Sequence, residues 1–294
     1  MNKRICYIIL HFLNDVTTSN CIESLLKIIK EDSQIILIDN GSSNGSYERL
    51  LNKYFDNAQV RTYTTNQNLG FAKGNNFGYK IAKSIGDFQY IVFCNNDLIF
   101  EDINFEKKLL LENEKLKYDV LGPDIVNLDG IHQNPHRLSL LTLKEIKYKN
   151  LKKSLFLFYL KTKKRIKILK RITFLERKFE DISNAIRTTS SEYMVLQGSC
   201  IIVGERFVKN EEKVFCEETF LYYEEDLLSL YCKMKDYSIN VIDTIQVKHL
   251  EAVSTQSIKE DDLERWIFRI SNLIKSGKIY EKKLKEFKGR LESL

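Results

Sequence analysis

A chain of 294 residues with 43% hydrophobic and 29% charged residues has enough length and apolar content for one large folded domain with an appendage, which excludes wholesale disorder. Two prolines exclude Pro-rich linkers, and six cysteines without a CxxC pair read as reduced thiols, not as a zinc ribbon or a disulfide scaffold. The net charge of +6 is uneven: residues 144–178 hold fourteen Lys/Arg and two Glu, a net of +12, so the rest carries −6. The start MNKRICYIIL breaks its apolar run at His11 and Asn14, too early for a signal-peptide core. No stretch reaches the ~18 apolar residues of a membrane-spanning helix, and the expected location is cytoplasmic.

In chain order, ICYIIL at 5–10 predicts a buried strand and 19–30 an amphipathic helix with Ile22, Leu25, Leu26 and Ile29 on one face. QIILI at 34–38 is a second buried strand, closed by the turn cluster DNGSSNGS. A helix around 46–55 and a short strand at 59–63 follow. NQNLGFAKGNN then runs into a further helix, and YIVFC at 90–94 is another buried strand. Residues 105–117 read as a charged helix, and 120–137 as a strand with an ordered loop. The basic segment is mostly helical by spacing. An apolar strand at 193–203 is interrupted at Gly198, a helix at 219–235 opens with TFLYYEED, and a strand at 239–248 leads to His249. The tail from 260 to 292 is helical and highly charged. Strands that are apolar on both faces and alternate with helices predict an α/β fold, a doubly wound, mostly parallel sheet. Ligands in such sheets bind beyond the carboxyl ends of the strands, which places Asp39 and Asp97 on one rim.

Asp39 can accept a hydrogen bond from a base or ribose, or simply form an Asx-turn. In NQNLGFAKGNN, Asn68, Gly70 and Gly74-Asn75-Asn76 supply close backbone approach and free helix N–H groups suited to phosphate. Asn95, Asn96 and Asp97 end a strand with oxygen donors of the kind Mg²⁺ takes beside a diphosphate; they also suit a turn. Three consecutive acids, Glu224, Glu225 and Asp226, fit a helix N-terminus, and Glu225 or Asp226 could equally be a general base. His249 could complete a metal site as neutral imidazole.

The order of these motifs resembles the family 2 glycosyltransferases of the GT-A fold, especially their rhamnosyltransferase-like branch of bacterial polysaccharide assembly. The matching series is Asp39-Asn-Gly-Ser, Asn68-Leu-Gly-Phe-Ala-Lys-Gly-Asn-Asn76 and Phe93-Cys-Asn-Asn-Asp97. Gly122-Pro-Asp, Gly198, Phe220-Leu-Tyr-Tyr-Glu-Glu-Asp226, and His249 followed by Ser254 complete it. The resemblance covers residues 4–255. It implies a GT-A domain over 1–255 with a basic helical insertion near 140–185, and a C-terminal helical appendage at 256–294. It also implies an inverting transfer from a nucleotide-sugar donor, dTDP-rhamnose or a UDP-hexose, to a glycan or polyprenyl-diphosphate-linked acceptor.

Under that resemblance His11, Asn14, Asp39, Asn40, Asn68, Gly70, Phe71, Gly74, Asn75, Asn95 and Asn96 line the donor. Asp97 and His249 hold a divalent cation, Mg²⁺ or Mn²⁺. The first acid of the family's metal motif is Asn95 here. For the base, counting back from Lys235-Asp-Tyr237 points to Glu225, and the family's Glu-Asp pair points to Asp226. Two rivals stand beside this. A sugar nucleotidyltransferase would need a basic, Gly-rich loop after the first strand, where LHFLN offers none. The other is a catalytically silent protein with the same fold.

The basic segment interleaves Lys with Leu, Ile and Phe. That suits either a solvated helix face or an amphipathic helix on an anionic membrane, at the inner face of the plasma membrane. It contains no base-reading module, so no nucleic-acid partner is expected. The charged C-terminal helices could pair with a second copy.

Overall fold

The computed structural model describes residues 4–116, 118–166, 193–251 and 262–292. Ser254, the basic run beyond residue 166 and the junction near 256 lie outside them. Four strands and three helices build the first half: β1 (Ile5–His11), α1 (Asp15–Leu26), β2 (Gln34–Asp39), α2 (Ser46–Tyr54), β3 (Val60–Thr64), α3 (Gly70–Ile85) and β4 (Tyr90–Asn95). The second half adds β5 (Leu98–Ile99), α4 (Phe105–Leu116), β6 (Val120–Asn127), α5 (Leu143–Ile166), β7 (Cys200–Val203), α6 (Glu205–Asn210), α7 (Glu224–Lys235), β8 (Ile239–His249) and α8 (Asp262–Glu292).

The strands form one sheet in the order β3-β2-β1-β4-β7-β6-β8-β5. β1, β2, β3 and β4 are parallel neighbours, and the order reverses between β1 and β4, the crevice where open α/β sheets bind ligands. The register pairs His11 with Asp39 and Leu10 with Asn95, so these strand ends finish level on one rim. Apolar residues alternate between faces. Tyr7, Ile9, Leu37 and Val92 pack with Ile22 and Leu25 of α1, while Ile8, Ile36, Ile38 and Phe93 pack under Ala72 and Tyr79 of α3.

The sheet is mostly parallel, as expected, with four parallel pairings and three antiparallel ones. β7 runs antiparallel to both β4 and β6, and β5 antiparallel to β8. β7 is entered from a turn at 198–199. That turn also shortens the strand expected from residue 193: Gln197 takes the Ser199 N–H through its side chain at 2.6 Å. The two-residue β5 is too short to show a period in sequence. The first helix begins four residues before residue 19 because Asn14 caps it, accepting from the Thr17 N–H at 3.1 Å. The helix expected from residue 219 starts at Glu224, since Tyr222 and Tyr223 sit at φ 73° and 70°, left-handed positions no helix continues through.

α8 is packed in. Ile270 and Ile274 meet Phe156 and Leu160 of α5, and Tyr280 and Leu284 meet Tyr223, Leu227 and Leu230. Three glycines permit close layers: a Cβ on Gly74 would lie 2.7 Å from Leu10, one on Gly78 2.6 Å from Ile8, and one on Gly277 2.3 Å from Asn150.

Asn76 ties α3 to the segment before the acidic cluster. Fully buried, it accepts from the Val214 and Phe215 N–H groups and donates to the Phe215 carbonyl. Asn76→Ala strands three buried backbone groups and is expected to cost about 2–4 kcal/mol. Urea unfolding measures this; a loss under about 1 kcal/mol would contradict the tie.

Candidate active site

At the rim of β1 and β2, most of the residues expected to touch a donor are occupied with one another. His11 is fully buried, with Nδ1 2.7 Å from the Thr18 hydroxyl and Nε2 2.9 Å from the Ser46 hydroxyl. Burial lowers its pKa to about 4 against the pull of the Asp39 charge, so it is a neutral tie between α1 and α2. Asp39 accepts from the Ser42 N–H at 3.2 Å and the Thr64 hydroxyl at 2.9 Å, the geometry of an Asx-turn. Asn40 accepts from the Leu69 N–H and donates to Asn68 Oδ1 and the Gly70 carbonyl, so it shapes the loop behind the rim. Gly70, at φ 78°, lets this loop reach the next one: a Cβ there would lie 2.3 Å from the Phe220 carbonyl. Phe71 packs edge-on against Phe215, 5.2 Å between centroids, and buried Asn75 donates to the Phe71 carbonyl. Asn14 is the cap of α1. Asn68, exposed beside Gly70, is the side chain of this group that faces outward.

At the end of β4, the Asn95 N–H donates to the Ser199 carbonyl at 2.8 Å and buried Asn96 donates to the Thr18 hydroxyl. Asp97 and His249, 152 positions apart in sequence, meet because β5 and β8 pair Leu98 with His249. Asp97 Oδ2 lies 3.4 Å from His249 Nε2, and Asp97 Oδ1 is buried without a hydrogen-bond partner among the described residues. The imidazole is oriented from behind. Gln133 donates its amide N–H to the Glu251 carboxylate, which fixes its Oε1 toward His249 Nδ1 at 2.8 Å. Nδ1 therefore carries a proton, and deprotonated Nε2 would turn a lone pair toward Asp97. Two lone-pair donors facing each other, one of them a buried carboxylate with an orphaned oxygen, fit a divalent cation. No group of three or more His, Cys, Asp or Glu side chains gathers among the described residues, so further ligands to such an ion would be diphosphate oxygens and water.

The three acids lie across the turn from Asn95. Glu225 rests on Gly198, where a Cβ would be 1.9 Å from its Oε1, so only glycine leaves room for the carboxylate. Burial pushes the Glu225 pKa up to about 7, and Glu224 is pushed up to about 8 by burial and by the Glu225 charge. Asp226 is buried and salt-bridged to the Arg137 guanidinium. Tyr223 precedes the cluster, and its hydroxyl accepts from Lys153 of α5 at 2.9 Å.

Gln133, Arg137, Lys149 and Lys153 escaped the sequence reading. The signal available was GIHQNPHR, a run of hydrogen-bonding side chains between two strands, read there only as an ordered loop.

The model of glycosyl transferase family 2 matches residues 8–182, more than half of the chain. No curated protein sequence matches it. Among solved structures, TarS of S. aureus is similar with a TM-score of 0.54 and 12% identity over 89% of this chain, which spans 41% of that one. TarS 1-349 in complex with UDP gives 0.54 and 13% over 99% of this chain and 72% of its own. GalNAc-T7 with UDP, GalNAc and Mn²⁺ gives 0.56 and 15% over 84% of this chain and 44% of its own. At these identities the structural likeness speaks for the fold, and the sheet, its rim and the family match together place the chain in glycosyl transferase family 2.

Proposed function

We propose that the protein moves a sugar from a nucleoside-diphosphate sugar to a hydroxyl, with inversion at the anomeric carbon. The observation that carries this is the Asp97–His249 pair on the ligand rim, with its orphaned carboxylate oxygen, across one turn from a carboxylic acid tuned to about pH 7. Asp97 and His249 would hold Mg²⁺ or Mn²⁺, which when bound supplies Lewis-acid stabilisation of the departing diphosphate. Asn68 and the Asp39 turn would face the nucleotide.

Glu225 is the base. Asp226, the alternative, is buried and salt-bridged to Arg137, while Glu225 keeps some exposed surface although its carboxylate is largely desolvated, and its raised pKa matches the working range of a general base. Glu225 takes the proton of the acceptor hydroxyl, and the oxygen bonds to the anomeric carbon on the face opposite the diphosphate. The bond to the phosphate oxygen breaks through an oxocarbenium-like transition state. UDP in two of the similar structures favours a UDP-hexose over dTDP-rhamnose, an argument by fold analogy. Bacterial surface polysaccharide assembly remains the setting we favour.

α5 adds a place of work. Tyr148, Leu151, Leu155 and Phe158 are exposed on one face, between 52% and 74%, and lysines flank them. No described helix is long and apolar enough to cross a membrane. An apolar row edged by lysines suits the surface of an anionic leaflet, such as the inner face of the plasma membrane.

Three results are expected. Asp97→Asn should weaken Mn²⁺-dependent UDP binding by about tenfold or more in calorimetry; unchanged affinity would remove Asp97 from the site. Glu225→Gln should lower kcat by about 10²–10⁴. In the parent enzyme kcat/KM should rise with pH through about 7, because the base works deprotonated, and Glu225→Gln should lose that limb. Full activity in the variant would dismiss Glu225. Leu151→Asp with Phe158→Asp should cut partition onto phosphatidylserine vesicles at least about tenfold, since each large apolar side chain taken out of water contributes roughly 1.5–3 kcal/mol. Unaltered partition would leave α5 a solvated helix.

A further inference from the structure

Helix α5 is partly inside out. Its inward stripe runs at heptad spacing through Ile146, Lys149, Lys153, Phe156 and Leu160, and three of the five are the buried apolar residues such a seam requires. The other two are lysines, both half-buried, in a helix whose large apolar side chains Leu151, Leu155 and Phe158 face out. Placing an ammonium on a packing seam costs free energy unless a partner answers its charge.

No partner in the described chain does so. Lys153 donates to the neutral Tyr223 hydroxyl and lies 4.9 Å from that ring's centroid. Lys149 has no ion pair among the described residues; the nearby Glu145 is spent on the Thr142 N–H and hydroxyl at the helix start. The carboxylate in this neighbourhood, Asp226, already binds Arg137. Burial lowers both lysine pKa values, Lys153 to about 8, helped by the neighbouring cations and opposed by the Asp226 charge. Three cations therefore converge on one matched carboxylate, one residue along the helix from Glu225.

We propose that Arg137, Lys149 and Lys153 form an anion subsite beside the base that receives a phosphate or diphosphate group carried by the acceptor. This deepens the transferase reading and rests on it for the word acceptor. The donor's phosphates belong to the Asp97–His249 shelf, at the other end of the 133–137 loop. A phosphate on the acceptor would hold its hydroxyl at Glu225, and an arginine with two lysines matches such a group in charge and donors.

The test is calorimetric titration of the full chain with phenyl phosphate, a simple monoester, once in EDTA and once with UDP and Mn²⁺ saturating. Binding is expected in both. Lys149→Met with Lys153→Met should weaken it about tenfold or more, while leaving Mn²⁺-dependent UDP affinity within about twofold. Lys149→Arg with Lys153→Arg keeps the charge and should retain binding, which separates loss of the subsite from loss of the fold. Absent binding, binding indifferent to the methionine pair, or displacement by UDP with Mn²⁺ would overturn the subsite; displacement would assign the cations to the donor. Failure of UDP and Mn²⁺ to bind the parent chain sinks the transferase reading instead, and the EDTA arm still decides the subsite.

Discussion

One short loop holds the site together. Between β6 and α5, Gln133 orients His249, Asn134 bridges the Pro123 carbonyl and the Gln197 N–H, and Arg137 neutralises Asp226 while pairing its backbone with Val195. These contacts join three elements that lie far apart in sequence: the end of β8, the turn before β7 and the start of α7. The distance between the Asp97–His249 pair and the acids is thus set by a backbone clamped at both ends.

Burial then separates the roles of chemically similar groups. Asp226 and Glu225 are adjacent carboxylates. Asp226 is tied to the Arg137 guanidinium, whereas burial of Glu225 on Gly198 pushes its pKa up to about 7. On the rim the same logic separates amides. Asn40 and Asn76 spend their hydrogen bonds inside the protein, while Asn68 remains exposed. Much of a motif that reads as a ligand cradle is the joinery that brings β2, α3 and the loop before α7 into contact.

Strand period and strand-end residues made the β1–β4 half legible, and with it the rim that carries Asp39 and Asp97. The meeting of Asp97 with His249 could be expected only through the family resemblance, because it depends on a two-residue strand with no pattern of its own. Glu225 and Asp226 could not be told apart locally, since the residue that distinguishes their surroundings, Arg137, is 89 positions from Asp226. Helix α5 was legible as a helix but not in its facing. Its Lys and Leu alternate as an amphipathic helix should, but composition does not say which set faces inward, and two of its lysines take seam positions.

The rim is proposed to bind a nucleotide sugar through a divalent cation, and thermal unfolding against a panel of nucleotide sugars with and without Mn²⁺ reads that binding. A ligand that binds only the native state at 100 times its Kd adds about 2.7 kcal/mol, a rise of several degrees in Tm for a chain of this size. Such a rise is expected for one nucleotide class, present with Mn²⁺ and absent in EDTA. A panel that leaves Tm unmoved in both conditions would contradict it.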